Sequence, residues 1–335
     1  MKDRPVSDLV CWCGNVDNQP FSDHYLRCSR CGTLISQSIA TSPTTTITQD
    51  DKDFYGREYW WSYQVEHYGC PDITQRARLD LPERCLYWTR ALLAYKMPPG
   101  KLLELGCGHG ASVALMKWAG FDTIGLELSP SVVNIARESF DIAVIQGPIE
   151  KTELAKESFD AIVLYDVLEH LSDPTGTMAR CSQLLKPDGL FLVQTPSAPE
   201  KVTFRQLVMR DDAFLRLLQE KEHLYLFTQR AARKLFEDLQ FTHQVFMAPI
   251  FPYDMFFVAS RNDPARNSAE AIAARLCASP SGRLVLALLD LDDRLTECKR
   301  QKRRSYIHAL GARLGLPNYL AGSRLLRFLR RLTRR

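Results

Sequence analysis

The stretch KLLELGCGHGASVALMKWAG, residues 101–120, places a glycine-rich loop between a short apolar run and an amphipathic helix. Its segment GCGHGA, which begins at Gly106, fits the pattern G-x-G-x-x-[GA], in which glycines let the backbone approach a nucleotide closely. No Gly-Lys-Ser/Thr follows, which argues against a P-loop. The pattern leaves three ligands open: a phosphate, a dinucleotide, or a nucleoside without phosphate.

Two acidic residues near this loop distinguish among these ligands. Glu127 lies 21 residues beyond Gly106, where a dinucleotide fold places the acid that binds ribose hydroxyls. Glu104 lies two residues before Gly106, at the end of the apolar run. A carboxylate there would repel a pyrophosphate at a cost of about 1 kcal/mol or more, whereas it would attract a cation. S-adenosylmethionine has an ammonium, a sulfonium and a ribose but no phosphate, so it suits both acids.

Short apolar runs alternate with amphipathic helical stretches from residue 101 to about residue 260. The runs are KLLEL, TIGLEL, IAVIQG, DAIVLYD and LFLVQT. Such alternation predicts an α/β fold, a mostly parallel sheet with helices on both faces. Two late runs, THQVFMAPI and MFFVASR, follow a further helix, and their closeness in sequence predicts an antiparallel pair at the sheet edge.

Four segments resemble, in order and spacing, the motifs of class I S-adenosylmethionine-dependent methyltransferases of the methyltransferase-23 type. They are LLELGCGHG, IGLELSPSVVNIAR, FDAIVLYDVLEHLSDP and LLKPDGLFLVQTP, and the resemblance covers roughly residues 85–260. It implies a Rossmann-like seven-stranded sheet with a reversed edge strand. It also implies a set of cofactor-binding residues: Glu104, Gly106, Cys107, Gly108, Gly110, Glu127, Leu128, Ile149 and Asp166. Pro148 stands where the family often has an adenine-binding Asp, so we expect a backbone group or Glu150 to take that contact.

The segment YDVLEHLSDP follows a predicted strand, at the carboxyl end where open α/β sheets bind their ligands. His170 is the candidate general base for a hydroxyl acceptor, because its unperturbed pKa of about 6.5 allows proton uptake near neutrality. Asp166 or Glu169 would orient its ring. The alternative is that Glu169 and His170 only brace the loop through hydrogen bonds.

Three further features are predicted to lie near the acceptor. The first is an aromatic lid over the cofactor or acceptor: Tyr55, Tyr59, Trp60, Trp61 and Tyr63. These rings would equally suit ordinary core packing. The second is an inserted helical cap at residues 196–225. The third is His223, which either reaches the pocket or has a helix-capping or packing role.

A cluster of four cysteines in the first 31 residues indicates a metal site. Cys11 and Cys13, then Cys28 and Cys31, form two pairs, and a glycine follows each pair, as in a zinc ribbon. The resemblance supports this, since methyltransferases of sugar and natural-product pathways often begin with a similar ribbon. The first pair encloses only Trp12, one residue fewer than usual, and the alternative is a ribbon that has lost its metal.

Basic charge is concentrated in the C-terminal tail. From residue 294 to the end, thirteen Lys or Arg accompany one acid, so the preceding residues carry a net charge of about −8. The sequence YLAGSRLLRFLRRLTRR predicts a basic amphipathic helix that binds an anionic membrane surface or a partner. A helix docked on the chain's own acidic domain is the alternative. Nucleic acid is disfavoured, because the remaining chain is acidic.

These patterns predict four parts: a zinc ribbon (1–40), a linker with an aromatic helical lid (41–84), a methyltransferase domain (85–262) and a helical basic extension (263–335). No apolar run approaches the roughly eighteen residues of a membrane span, and MKDRPVSDLV lacks the apolar core of a signal peptide. We therefore expect a cytoplasmic protein, peripheral at the inner face of the membrane if the tail binds there.

The predicted function is methyl transfer from S-adenosyl-L-methionine to a small molecule or glycan, at an oxygen atom, with structural zinc in the ribbon. Two alternatives remain at this point. One is an RNA methyltransferase that uses the basic tail, and the other is a non-catalytic binding protein with a methyltransferase fold.

Overall fold

The computed structural model describes residues 9–39, 47 and 49–313. Its strands are β1 (Asn18–Pro20), β2 (Tyr25–Cys28), β3 (Leu34–Ser36), β4 (Lys101–Leu105), β5 (Asp122–Glu127), β6 (Ala143–Gln146), β7 (Phe159–Tyr165), β8 (Leu185–Pro196), β9 (Tyr225–Leu226), β10 (His243–Met247) and β11 (Asp254–Ser260). Its α-helices are α1 (Gln64–Tyr68), α2 (Ile73–Asp80), α3 (Leu86–Leu93), α4 (Ala111–Ala119), α5 (Pro130–Phe140), α6 (Pro174–Leu184), α7 (Phe204–Met209), α8 (Gln229–Asp238), α9 (Ala269–Leu276) and α10 (Pro280–Arg313).

The larger sheet has seven strands in the order β10-β11-β8-β7-β4-β5-β6. Strands β4 to β8 run parallel, and β11 is antiparallel to both of its neighbours. The central strands read as nearly continuous apolar runs because helices cover both faces of the sheet. The predicted α/β fold is therefore confirmed. The reversed strand, β11, is the last along the chain and lies one position in from the edge, which β10 occupies.

Apolar side chains on both faces hold the sheet in place. On one face Phe191 and Phe257 are fully buried and pack edge-on against Phe236 of α8. On the other face Phe256 belongs to a buried cluster with residues of α3, α4 and α10. Each such aromatic contributes on the order of 2 kcal/mol or more through burial. The carboxyl ends of the parallel strands are thus positioned by a well-packed core.

The cysteine-containing segment packs directly on the larger domain. Strand β3 pairs with β9, so that a four-stranded sheet of order β1-β2-β3-β9 joins the two parts. The Ser36 amide donates to the Leu224 carbonyl at 2.9 Å, and the Tyr25 hydroxyl donates to the His223 carbonyl at 2.8 Å. The segment that carries His223 is therefore positioned by the N-terminal ribbon.

Helices α9 and α10 form the described part of the C-terminal extension. Val285 and Leu289 of α10 are buried, and Arg90 of α3 forms ion pairs with Asp292 at 2.8 Å and Asp293 at 3.1 Å. None of the described helices is both long and apolar enough to cross a membrane. The predicted basic helix near the C-terminus lies outside the described residues.

Candidate functional site

The glycine loop connects the end of β4 to the start of α4. Gly106 has φ 61° and Gly110 has φ 81°, a left-handed conformation that favours glycine. A Cβ at Gly106 would lie 2.7 Å from Val167 Cγ2, and one at Gly110 would lie 2.4 Å from Ile142 Cδ1. Both glycines are therefore required by the backbone and by close neighbours, independently of any ligand.

Glu104 is a buried acid with an unsatisfied oxygen. Its side chain lies at the carboxyl end of β4, it is 4 % exposed, and Oε2 has no hydrogen-bond partner among the described residues. Burial raises the pKa of Glu104 to about 8. The nearby thiols of Cys85 and Cys107 also have raised pKa values because they are buried, so both are neutral neighbours of Glu104. A cationic ligand is the group that such a carboxylate lacks, and the ammonium of S-adenosylmethionine fits this requirement.

Glu127 ends β5 and holds the glycine loop against it. Its Oε2 accepts from the Gly108 amide at 3.0 Å, and its Oε1 accepts from the amides of Leu128 at 2.7 Å and Ser129 at 3.1 Å. Burial raises the pKa of Glu127, and these three N–H groups partly counteract the rise. A carboxylate has about four lone-pair sites, so one remains for the predicted ribose hydroxyl.

Among the other predicted cofactor residues, Cys107 and Ile149 lie in apolar surroundings, whereas Asp166 has polar partners. Cys107 is 5 % exposed and Ile149 is 3 % exposed, and both belong to apolar clusters. Asp166 accepts from Gln194 Nε2 at 3.0 Å and lies 3.6 Å from Arg84 Nη1. Both of these contacts of Asp166 are made with residues other than His170. The contacts of Cys107, Ile149 and Asp166 with a cofactor stay predictions.

A hydrogen-bond network around His109, which the sequence did not predict, supports the glycine loop. His109 Nδ1 accepts from the Ala111 amide at 3.2 Å, and its Nε2–H therefore donates to Asp80 Oδ2 at 2.9 Å. Burial opposes ionisation of Asp80, but the hydrogen bond from His109 and the charges of Arg76 and Arg84 outweigh it and lower the pKa of Asp80. In the sequence, the only local indication of this network is His109 itself, at a variable position of the glycine motif.

Glu169 and His170 lie in a short 3-10 turn, Leu168–His170, that follows β7. Glu169 is 1 % exposed, its Oε2 accepts from the Thr195 hydroxyl at 2.9 Å, and its Oε1 lies 3.9 Å from His170 Nε2. Burial raises the pKa of Glu169, whereas burial and the adjacent His223 ring lower the pKa of His170 to about 3. His170 is thus a neutral imidazole, and its Nδ1–H donates to the Glu222 carbonyl at 2.9 Å.

The aromatic segment lies against this histidine and over the glycine loop. The Tyr55 hydroxyl is 3.2 Å from His170 Nδ1, and the Tyr59 hydroxyl donates to Glu222 Oε2 at 2.8 Å. A Cβ at Gly108 would lie 3.6 Å from the ring of Trp60, so this ring covers the loop. This placement agrees with a lid as well as with core packing.

Two acids beyond the predicted set hold these segments. Glu222 is buried and accepts from the hydroxyls of Tyr59 and Tyr68. Asp50 accepts from the Ser129 hydroxyl at 2.8 Å, next to the turn that contains Glu127. Neither acid belongs to a motif, and their partners are distant in sequence, so only tertiary structure could identify them.

The four N-terminal cysteines converge on one point. The Cys11 and Cys31 sulfurs are 3.6 Å apart, as are those of Cys13 and Cys28, and all four lie within 4.8 Å of one another. These distances exceed the S–S bond of about 2.05 Å in a disulfide and are near the ligand spacing of a tetrahedral zinc site. The Cys31 amide and the Asn15 side chain point at the Cys28 sulfur, at 3.5 and 3.4 Å. The thiols and their donors fit structural zinc.

The strand order, with a glycine loop after the central strand and an acid after the neighbouring strand, defines the class I S-adenosylmethionine-dependent methyltransferase fold. The family described as "Methyltransferase domain" matches residues 77–244, half of the chain. The chain therefore belongs to this methyltransferase family.

Curated relatives show where the similarity lies. A probable S-adenosylmethionine-dependent methyltransferase of Mycolicibacterium smegmatis is 30% identical over 125 residues, which cover 35% of this chain and 48% of the relative. The ubiquinone biosynthesis O-methyltransferase of Xanthomonas campestris is 33% identical over 136 residues, 38% of this chain and 56% of the relative. The chain thus spans about half the length of these relatives.

One solved structure aligns with part of the chain. The magnesium protoporphyrin IX methyltransferase of Synechocystis, with bound SAH, aligns with a TM-score of 0.44 at 16% identity, over 62% of this chain and 98% of that one.

Proposed function

We propose that the protein transfers a methyl group from S-adenosyl-L-methionine to an oxygen atom of a small molecule or glycan. The observation that carries this proposal is the buried, unpartnered Oε2 of Glu104 beside the glycine loop. S-adenosylmethionine supplies a methyl group activated by its sulfonium. Glu104 would bind the ammonium, Glu127 would bind a ribose hydroxyl, and the amides at the start of α4 would face the carboxylate.

The acceptor would bind at Glu169 and His170. Both residues follow β7, which is the direct neighbour of β4, so they lie at the same end of the sheet as the glycine loop. His170 Nε2 is the ring nitrogen that remains to accept from an acceptor hydroxyl, because Nδ1 is bonded to a carbonyl. Relatives named ubiquinone biosynthesis O-methyltransferase support an oxygen acceptor. The aromatic segment would close over the pair and exclude water.

Zinc would bind to the N-terminal cysteines in a structural role. The four thiols lie within 4.8 Å of one another, and β3 joins their segment to β9 in one sheet. We expect the metal to stabilise this joint sheet, while the cysteines take no part in methyl transfer.

A methyl-transfer assay tests the proposal. The protein would be incubated with methyl-labelled S-adenosylmethionine and, separately, phenols, catechols, sugars and RNA. We expect label in a hydroxyl compound, and we expect His170→Ala to lose turnover while keeping its affinity for S-adenosylhomocysteine. His243→Ala is the matched control, because His243 is exposed at the start of the edge strand β10. Unchanged turnover of His170→Ala would return this residue to the bracing role, and label in RNA alone would favour the nucleic-acid alternative.

A further inference from the structure

A second group of metal-ligating side chains lies at the acceptor site. Glu169, His170 and His223 each offer one ligand atom, and these atoms lie within 4.8 Å of one another. Three atoms at this spacing can surround a point that is at most about 2.8 Å from each, compared with about 2.0–2.2 Å in a bound transition-metal site. Side-chain movements of less than about 1 Å would complete the coordination.

Hydrogen bonds orient both rings in the manner of metal ligands. His170 Nδ1 bonds to the Glu222 carbonyl at 2.9 Å, and His223 Nδ1 bonds to the Leu217 carbonyl at 2.6 Å. A carbonyl accepts, so both Nδ1 atoms carry the proton and both Nε2 atoms present a lone pair. Metal-bound histidines almost always have such a second partner on the other ring nitrogen.

The carboxylate is oriented in the same way. Glu169 Oε2 is held by the Thr195 hydroxyl at 2.9 Å, and Oε1 is left 3.9 Å from His170 Nε2. The side chain is 1 % exposed and has no cationic partner among the described residues closer than this neutral ring. A buried carboxylate beside two imidazoles lacks a positive charge, and a divalent cation would supply it.

We propose that Glu169, His170 and His223 bind a divalent transition-metal ion that holds the oxygen of the methyl acceptor. Two imidazole nitrogens and one carboxylate oxygen favour Zn²⁺, Fe²⁺ or a similar ion over Mg²⁺ and Ca²⁺, which take oxygen ligands. Three protein ligands leave open positions for an acceptor, such as a phenol or catechol.

This inference rests on the proposed function and changes one part of it: His170 Nε2 binds the metal instead of accepting a hydrogen bond from the acceptor hydroxyl. A metal-bound hydroxyl has a lowered pKa, so its proton leaves to solvent before the oxygen reacts. The O–C bond then forms as the S–C bond breaks, which yields the methylated acceptor, S-adenosylhomocysteine and one proton. The three side chains would act through the metal, and none of them would have to accept the proton.

Metal stoichiometry tests the site without a methyl-transfer assay. The full chain would be loaded with Zn²⁺, dialysed, and analysed for metal by mass spectrometry. We expect His223→Ala to contain one equivalent fewer than the parent, and we expect the control His243→Ala to match the parent. Equal zinc content in the parent and in folded His223→Ala would overturn the proposal.

Cobalt absorption keeps the test valid if His223→Ala does not fold. Co²⁺ would be added to metal-free parent that has first received one equivalent of Zn²⁺, which fills the four-thiolate cysteine site and leaves the proposed second site free. We expect visible bands typical of nitrogen and oxygen ligands, without the intense near-ultraviolet bands of thiolate ligation. No visible bands, or thiolate bands alone, would contradict the site. S-adenosylhomocysteine binding, measured separately, reports on the proposed function, so that either claim can fail while the other stands.

Discussion

At the scale of single residues, Glu104 has the strongest energetic reason to bind a ligand. The Glu104 carboxylate is buried and its Oε2 has no hydrogen-bond partner among the described residues, and the loss of hydration raises its pKa to about 8. A ligand ammonium would replace that hydration with a charge-assisted hydrogen bond. In its ionised form the same residue would repel a pyrophosphate, whereas it would attract a cation.

The substitution Glu104→Gln tests this role, because it removes the carboxyl group that would release a proton when the ligand binds. At pH 7 the free acid, with a pKa of about 8, is mostly protonated, and an ammonium ligand would ionise it. We therefore expect S-adenosylhomocysteine binding to release protons, so that calorimetric heats differ between two buffers of different ionisation enthalpy. Glu104→Gln should show no such difference and should bind about 10-fold more weakly or worse. Equal heats for the parent in both buffers would remove Glu104 from the site.

A change of Gly110 to Ala tests the packing of the loop. The left-handed backbone and the contact of 2.4 Å with Ile142 Cδ1 should together lower the free energy of unfolding by about 1–3 kcal/mol. Gly69→Ala is the matched control, because Gly69 has φ 65° but no atom within 4 Å of an added Cβ. Denaturant unfolding measures the change in the free energy of unfolding for both variants. A loss for Gly110→Ala no larger than that for Gly69→Ala would show that the contact with Ile142 is unimportant.

At the scale of elements, the ribbon and the acceptor side form one structural unit. The pairing of Leu34 with Leu226 and of Ile35 with Tyr225 links the cysteine segment to the strand that follows His223. The Thr228 hydroxyl also donates to the Cys31 carbonyl at 3.0 Å. Loss of the ribbon's order should therefore be transmitted to residues 222–226.

Loss of the proposed ribbon zinc should weaken the pairing of β3 with β9. In Cys28→Ser we expect faster amide hydrogen exchange in residues 222–226 and a lower Tm, because β9 loses the ordered strand on which it pairs. Cys277→Ser is the control, since Cys277 is exposed and lies in the C-terminal extension. Unchanged exchange in residues 222–226 would mean that the ribbon is folded without its metal.

The elements of the large sheet were predictable from sequence, but their connections to the ribbon were not. Apolar runs such as KLLEL and DAIVLYD correspond to β4 and β7, because strands buried on both faces have a simple composition. Strand β9 has only two residues, and its partner β3 lies about 190 residues earlier, so no local pattern announces the pairing. The contacts of Glu222 with Tyr59 and Tyr68 escaped prediction for the same reason.

At the scale of the whole molecule, charge is distributed unevenly. The chain up to residue 293 is acidic, and the basic residues are concentrated in the last 42 residues. Part of α10 packs on α3 through Arg90 and Asp292, and the basic sequence follows it. We propose that this tail binds an anionic membrane surface, as its alternation of Leu and Arg favours.

Vesicle flotation tests the tail. We expect the full chain to float with vesicles that contain anionic lipid and to do so less at high salt, because the attraction is electrostatic. A chain without residues 320–335 should stay in the dense fraction. Equal flotation with and without the tail would exclude a membrane role, and salt-sensitive RNA binding that needs the tail would favour the nucleic-acid alternative.

The central claim is that the glycine loop, Glu104 and Glu127 form a site for a phosphate-free cationic nucleoside. Isothermal titration of the metal-replete full chain with S-adenosylhomocysteine tests it most directly. We expect saturable binding with one site per chain, which weakens in Glu104→Gln and in Glu127→Ala. No binding of S-adenosylhomocysteine by the folded, metal-replete protein would contradict the assignment.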